Sequence, residues 1–113
     1  MILDQFKLAG RSALVMGGNR GLGIEMAKAL AEAGASVAIA ARDSSKNEEA
    51  VAFVDAVGEG KVIGKSCDVT DAAQVEQVVG EVKAEIGSID ILINSAGINI
   101  RGAIEEVTPE VFR

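Results

Sequence analysis

The stretch Val15-Met16-Gly17-Gly18-Asn19-Arg20-Gly21-Leu22-Gly23-Ile24 constrains the fold more than any other. Ahead of it, Ser12-Ala13-Leu14-Val15-Met16 is apolar and partly β-branched, as a buried strand requires; behind it, Glu25-Met26-Ala27-Lys28-Ala29-Leu30-Ala31-Glu32 has helical composition. The glycines therefore fall at a strand-to-helix turn. A helix N-terminus leaves backbone N–H groups unpaired and carries about half a positive charge, so it favours an anion. Gly17, Gly21 and Gly23 would let the backbone turn sharply and let a phosphate approach without meeting a Cβ. The spacing is G-x-x-x-G-x-G, which is neither G-x-G-x-x-G nor a P-loop, because no Lys follows the last glycine. Taken alone, the turn leaves two readings open, a phosphate cradle and a plain glycine-rich turn.

The rest of the chain repeats the same alternation. A first strand at residues 12–17 is followed by a helix over about 22–33, with Gly34 as its C-terminal cap. Gly23, Met26, Ala27, Leu30 and Ala31 share one face of that helix, and Gly23 and Ala27 are small enough to let it lie close to a sheet. Residues 36–41 are a continuously apolar run, as expected of a strand covered on both faces. Ser45 and Glu48 form a capping box that opens a second helix, whose apolar positions Ala50, Phe53, Val54 and Val57 keep helical spacing up to Gly58-Glu59-Gly60. A third strand at 61–67 leads through Asp68-Val69-Thr70-Asp71 into a third helix striped by Val75, Val78, Val79, Val82 and Ile86 and ended by Gly87. The fourth strand is 89–94, and Thr108-Pro109 starts a further helix. This pattern is that of a parallel α/β sheet. With right-handed crossovers and one reversal, the strand order is 3-2-1-4, a truncated Rossmann-type doubly wound sheet filling residues 1–113 as one domain. The reversal lies between strands 1 and 4, so a ligand is expected in the crevice where the glycine turn meets the loop after Asn94.

Composition narrows the chemistry. A net charge of -6 disfavours nucleic acid and acidic membranes as partners, so a bound anion has to be held locally. No run of about 20 uncharged apolar residues is present to span a bilayer, and residues 1–7 are broken by charge too early for a signal peptide. The chain is therefore expected to be soluble and cytoplasmic. Cys67 is the sole cysteine, and with no histidine the usual zinc sites have no ligands; Cys67 is expected to be a small buried residue at a strand end. With neither His nor Tyr, the chain contains no Ser-His-Asp or Cys-His machinery and no tyrosine acid or base.

Three further places carry chemistry. About 20 residues past the glycines, where NAD-binding folds carry an acidic residue for the ribose, this chain has Ala41-Arg42. A guanidinium there removes repulsion of a 2′-phosphate and offers it a planar donor fork, and Arg20 could reach the same group; the other reading makes both arginines solvated surface charges. Asp68 could accept from an adenine amino group, with Val69 backbone beside the ring, or it could cap the following helix. Thr70 and Asp71 can serve that cap, which would leave Asp68 free. Asn94-Ser95-Ala96-Gly97 places small residues at the crevice, and Asn94 can bridge backbone groups of adjacent strands.

Gly17-x-x-x-Gly21-x-Gly23, Asp68-Val69 and Asn94-Ser95-Ala96-Gly97 together resemble the short-chain dehydrogenase/reductase family, and the resemblance covers the whole chain. It implies a cofactor site made of Gly17, Asn19, Arg20, Gly21, Leu22, Gly23, Arg42, Asp68, Val69, Asn94, Ala96 and Gly97, with basic residues at positions 20 and 42 going with NADP(H). Two departures stand out. The family usually has Thr before the first glycine, where this chain has Met16 and so lacks a hydroxyl that would tie the turn to its neighbouring strand; and Ser95 stands where the family pattern has a second Asn. The implied reaction is hydride transfer between nicotinamide and an alcohol or carbonyl, with Gly97-Ile98-Asn99-Ile100-Arg101-Gly102 and Glu105-Glu106 closest to sugar-acid or 3-oxoacyl reductases. The family's catalytic Ser, Tyr, Lys and Asn lie beyond the fourth strand, so no catalytic residue is carried over and the chain by itself is expected to be inactive. The alternative is a non-catalytic dinucleotide-binding or partner-binding module. Helices 1 and 2 are expected on one face of the sheet and helix 3 alone on the other, with Ile91, Leu92 and Ile93 as an open apolar edge. Such a chain is expected to be poorly stable as a monomer and prone to self-association.

Overall fold

The computed structural model describes residues 8–17 and 21–95. Strands β1 (Ser12–Met16), β2 (Ser36–Ala41), β3 (Val62–Ser66) and β4 (Ile91–Asn94) alternate with helices α1 (Gly21–Glu32), α2 (Ser44–Asp55) and α3 (Ala72–Ile86). The strands form one parallel sheet in the order β3-β2-β1-β4, the order expected of a Rossmann-type sheet. Met16 lies opposite Ala40 on one side and Asn94 on the other, so the C-terminal ends of three strands come together where the sheet order reverses.

Alternation along the strands separates two cores. Val15, Val37, Ile39 and Ile93 point to α1 and α2, where they meet Ala27, Ala31, Ala50 and Val54. Leu14, Met16, Ala38 and Ala40 point the other way, toward Val78 and Val82 of α3 and toward Cys67. One face thus sets branched strand residues against small helical ones, and part of the other reverses the sizes. Both arrangements keep a helix close to the sheet, since the summed volume across each contact is what close packing fixes. At the far end from the glycine turn the chain closes on itself. The Ser12 amide donates to Asp90 Oδ2 at 3.0 Å, the Asp90 amide returns a bond to the Ser12 carbonyl at 2.8 Å, and the Ser12 hydroxyl donates to the Ile86 carbonyl.

Several expectations need correction. α2 is capped by Asp43, whose carboxylate accepts from the Lys46 amide, and not by a Ser45–Glu48 box; it ends at Asp55, ahead of the Gly58-Glu59-Gly60 stop. Phe53 and Val57 are exposed and not core, because the helix turns Asn47, Ala50 and Val54 to the sheet; the Lys28 ammonium sits 5.3 Å from the Phe53 ring. In α3 only Val78 and Val82 of the stripe are fully buried, with Val75, Val79 and Ile86 packed around them. The β4 edge is less open than expected: Ile93 is buried and Ile91 and Leu92 are half-buried, although among the described residues β4 pairs with β1 alone. The helix expected at Thr108-Pro109 lies outside the described residues.

Candidate functional site

The turn after β1 is shaped by three glycines with different duties. Gly17 leaves the strand at φ 80°, and its amide donates to the Ala40 carbonyl at 2.7 Å, which ties the turn to β2. Gly21 opens α1 at φ 58°. Gly23 is required by close approach: a Cβ there would stand 2.3 Å from the Gly17 carbonyl oxygen and 2.4 Å from Ser95 Oγ, too close for any side chain. Because α1 begins at Gly21, the amides of its first turn have no intrahelical acceptor. Across from it, Ser95 follows β4, and its hydroxyl lies 3.1 Å from both the Met16 and the Gly17 carbonyl.

The end of β2 carries the basic residues. Arg42 is exposed on the rim, and its backbone is held from below. Asn47, buried in α2, donates from Nδ2 to the Ala41 carbonyl at 2.9 Å and to the Lys65 carbonyl at 3.0 Å, while the Ser66 hydroxyl donates to the Arg42 carbonyl at 3.1 Å. Lys46 lies in the first turn of α2 and lines the same cavity. Asp43, beside them, spends one carboxylate oxygen on the helix cap.

The end of β3 supplies the third wall. Cys67 is buried at the strand end, as expected; burial pushes its thiol up, with the charges of Asp68 and Asp71 adding to the shift, so it stays protonated and inert. Asp71 caps α3 through the amides of Ala73 and Gln74. Asp68 is therefore not needed as a cap, yet it is not free as the sequence suggested. Its Oδ1 accepts from the Thr70 hydroxyl at 2.6 Å and the Thr70 amide at 3.0 Å, a local turn that no residue pattern announces. These bonds, the hydroxyl first, hold the Asp68 carboxyl below its ordinary value, with the Arg42 charge acting in the same direction.

All three walls enclose one cavity of about 710 Å³. Of the residues singled out in the sequence, Gly17, Gly21, Leu22, Gly23, Arg42, Asp68 and Val69 line it. Asn94 is buried beside it, at the end of β4 opposite Met16. Asn19, Arg20, Ala96 and Gly97 lie outside the described residues. Lys46 and Asp43 also line the cavity and were not singled out; Thr70 and Ser95 line it too, the first read in the sequence as a helix cap and the second as a departure from the family pattern. Lys46 was legible as a basic residue four positions past Arg42; Ser95 was legible only as a departure from the family pattern, with nothing in the sequence to say what it bonds. The cavity has room for an elongated anion, with the glycine turn and helix amides at one end, two cations at the rim, and a carboxylate with apolar Val69 at the other. Leu22, 68% exposed above the turn, adds an apolar surface that a flat ring could cover.

The family model described as short chain dehydrogenase matches residues 11–113. Among curated proteins, 2-dehydro-3-deoxy-D-gluconate 5-dehydrogenase of Formosa agariphila is 38% identical over 114 residues, covering 100% of this chain and 43% of the relative. Gluconate 5-dehydrogenase of Gluconobacter oxydans is 41% identical over 103 residues, covering 91% of this chain and 40% of the relative. The solved structure of L-sorbose reductase from Gluconobacter frateurii, complexed with NADPH and L-sorbose, superposes with a TM-score of 0.77 at 28% identity, covering 93% of this chain and 40% of that one. The chain thus spans less than half the length of these relatives.

Proposed function

The chain belongs to the short-chain dehydrogenase/reductase family, and from that premise we propose that it is the NADP(H)-binding portion of an oxidoreductase acting on an alcohol or carbonyl of the sugar-acid or 3-oxoacyl type. The observation that carries the proposal is the convergence of the Gly17–Gly23 turn, Arg42 and Asp68 on one cavity at the C-terminal ends of the strands. In this reading the first amides of α1 receive the pyrophosphate, and Gly23 lets the helix lie against the Gly17 carbonyl and Ser95. Arg42, with Lys46 beside it, pairs with the 2′-phosphate. Asp68 accepts from the adenine amino group through its carboxylate, which Thr70 keeps ionised and aimed, and Val69 lies against the ring. Asn19, Arg20, Asn94, Ala96 and Gly97 belong to the same proposed site on the strength of the resemblance.

When bound, the cofactor supplies the hydride donor or acceptor. This chain's own part is to bind and orient it, because the sequence offers neither His nor Tyr as acid or base. Sugar acids are favoured as substrates by the names of the two dehydrogenase relatives, and the cytoplasm is the setting we assign to the protein.

Calorimetric titration with NADPH and with NADH tests the proposal. NADPH is expected to bind more tightly, and Arg42→Ala to weaken NADPH by roughly ten- to a hundredfold while sparing NADH, since a charge-assisted bond contributes about 1.5–3 kcal/mol. Equal affinity for the two cofactors would overturn it.

A further inference from the structure

Among the described residues, the glycine turn has no side-chain donor of its own at its entrance. Met16 is buried among the residues that face α3, and its thioether has no proton to give the carbonyls at the start of the turn. Those carbonyls are met from the opposite strand. Ser95 donates its backbone amide to the Met16 carbonyl at 2.9 Å, and its hydroxyl lies 3.1 Å from that same oxygen and 3.1 Å from the Gly17 oxygen. The hydroxyl has one proton and so is shared between the two, or alternates between them.

The third partner in this arrangement is α1. The position a Cβ would take on Gly23 is 2.3 Å from the Gly17 oxygen and 2.4 Å from Ser95 Oγ, so the helix backbone presses directly on the hydroxyl–carbonyl pair. The Gly17 carbonyl is thereby turned toward the junction of α1 and β4. This matters for an anion. A carbonyl that swung toward the cavity would present lone pairs to a phosphate in place of donors, and the φ of 80° at Gly17 is one that only a glycine holds without strain, so the local backbone has freedom to swing.

We propose that Ser95 is a positioning residue for the pyrophosphate: its hydroxyl, from the end of β4, supplies the tie that position 16 lacks and locks the Met16 and Gly17 carbonyls out of the anion's path. The proposal rests on the NADP(H) reading of the cavity. It assigns to Ser95 no contact with the cofactor and no chemistry, only the shape of the turn.

The test separates the two ends of the ligand. NADPH spans both the glycine turn and the Arg42 rim, whereas adenosine 2′-phosphate carries the adenine and 2′-phosphate and has no pyrophosphate to place at the turn. Ser95→Ala is expected to weaken NADPH by about five- to tenfold, the value of one lost hydrogen bond, and to leave adenosine 2′-phosphate within about twofold. If the alanine variant does not fold, Ser95→Cys, close in shape and a weak donor, is read by the same ratio and is expected to shift it in the same direction. Equal losses for both ligands in the folded variant would make Ser95 a general structural residue and overturn the proposal, as would an unchanged NADPH affinity. A wild-type protein that binds neither ligand would overturn this inference together with the NADP(H) reading; one that binds both, with a ratio indifferent to position 95, would overturn this inference alone.

Discussion

The β1–β4 pair is tied at both ends, and at each a serine hydroxyl donates to backbone carbonyl, Ser12 to Ile86 at the end of α3 and Ser95 to the start of the glycine turn; the two ends do opposite things. At the N-terminal end Ser12 joins Ile86 and Asp90, with Arg11 3.7 Å from the Asp90 carboxylate, and the groups there are satisfied by one another. At the C-terminal end Ser95 ties the glycine turn, but around it stand first-turn amides, the Arg42 guanidinium, the Lys46 ammonium and the Asp68 carboxylate, facing a cavity. The same strand pair, with the same kind of bond, is closed at one end and open at the other. The difference lies in where polar groups find their partners. A closed end stabilises the fold, and an open one holds its polar groups in place for a ligand.

The comparison breaks most readily at Gly23. Gly23→Ala drives a methyl to within 2.4 Å of the Ser95 hydroxyl and nearer still to the Gly17 carbonyl oxygen, and backbone that close has to move. The expected outcome is loss of NADPH affinity by about a hundredfold or more, because the displaced turn misaligns all the amides that meet the pyrophosphate at once. Calorimetry checks it beside a thermal melt. A variant that binds NADPH like the wild type would mean that the open end does not form the anion site.

Ser12→Ala probes the closed end and should give the reverse signature. Removing the hydroxyl leaves the Ile86 carbonyl without that donor at the end of α3, which costs about 1–2 kcal/mol of stability. The site is a full strand length away, so NADPH affinity is expected to stay within about twofold. Denaturant unfolding and cofactor titration on one sample decide it. An affinity loss matching the stability loss would erase the distinction between the two ends.

How much of this could be read in the sequence differs between the ends as well. β2 was legible as an apolar run bounded by charge, Ser36-Val37-Ala38-Ile39-Ala40-Ala41 followed by Arg42, and the strand order followed from right-handed crossovers with one reversal, even though β3 carries Gly64 and Lys65. The open end was legible where one residue type answers one need: Gly17 and Gly23 for a turn and a close approach, Arg42 for a phosphate. It was not legible where the role depends on what the fold brings alongside. Ser95 looked like a departure from a pattern and turns out to hold the turn; Asn47, which the sequence reading passed over, is buried and bridges β2 and β3. Phe53 and Val57 kept helical spacing, yet the phase of α2 is set by Ala50 and Val54 against the sheet, which periodicity among four apolar residues does not resolve. The closed end gave no signal at all, because Ser12, Ile86 and Asp90 meet only through the sheet.

The smallest effect is expected at Asp68, and it sharpens the contrast in a different way. Its carboxyl is held below the ordinary Asp value chiefly by the Thr70 hydroxyl, then by the Thr70 amide. Thr70→Val keeps the amide and the shape of the side chain and removes the hydroxyl. The Asp68 carboxyl should then titrate at higher pH than in the wild type, a change that carboxyl carbon resonances follow directly. A carboxyl depressed in the folded state contributes stability that is present above its unfolded value and is lost as the pH falls through the folded one. The wild type should therefore retain this contribution at neutral pH and lose it in acid, below about pH 4. In the variant the contribution is smaller from the start. The group is exposed, so the change in melting temperature should be slight at any pH, while NADPH affinity measured near pH 4 should fall more steeply with acid in the variant, as the carboxylate that accepts from adenine becomes protonated sooner. A large shift in the melt with no change in the pH profile of binding would place Asp68 with the closed end of the molecule, as a residue that serves the fold.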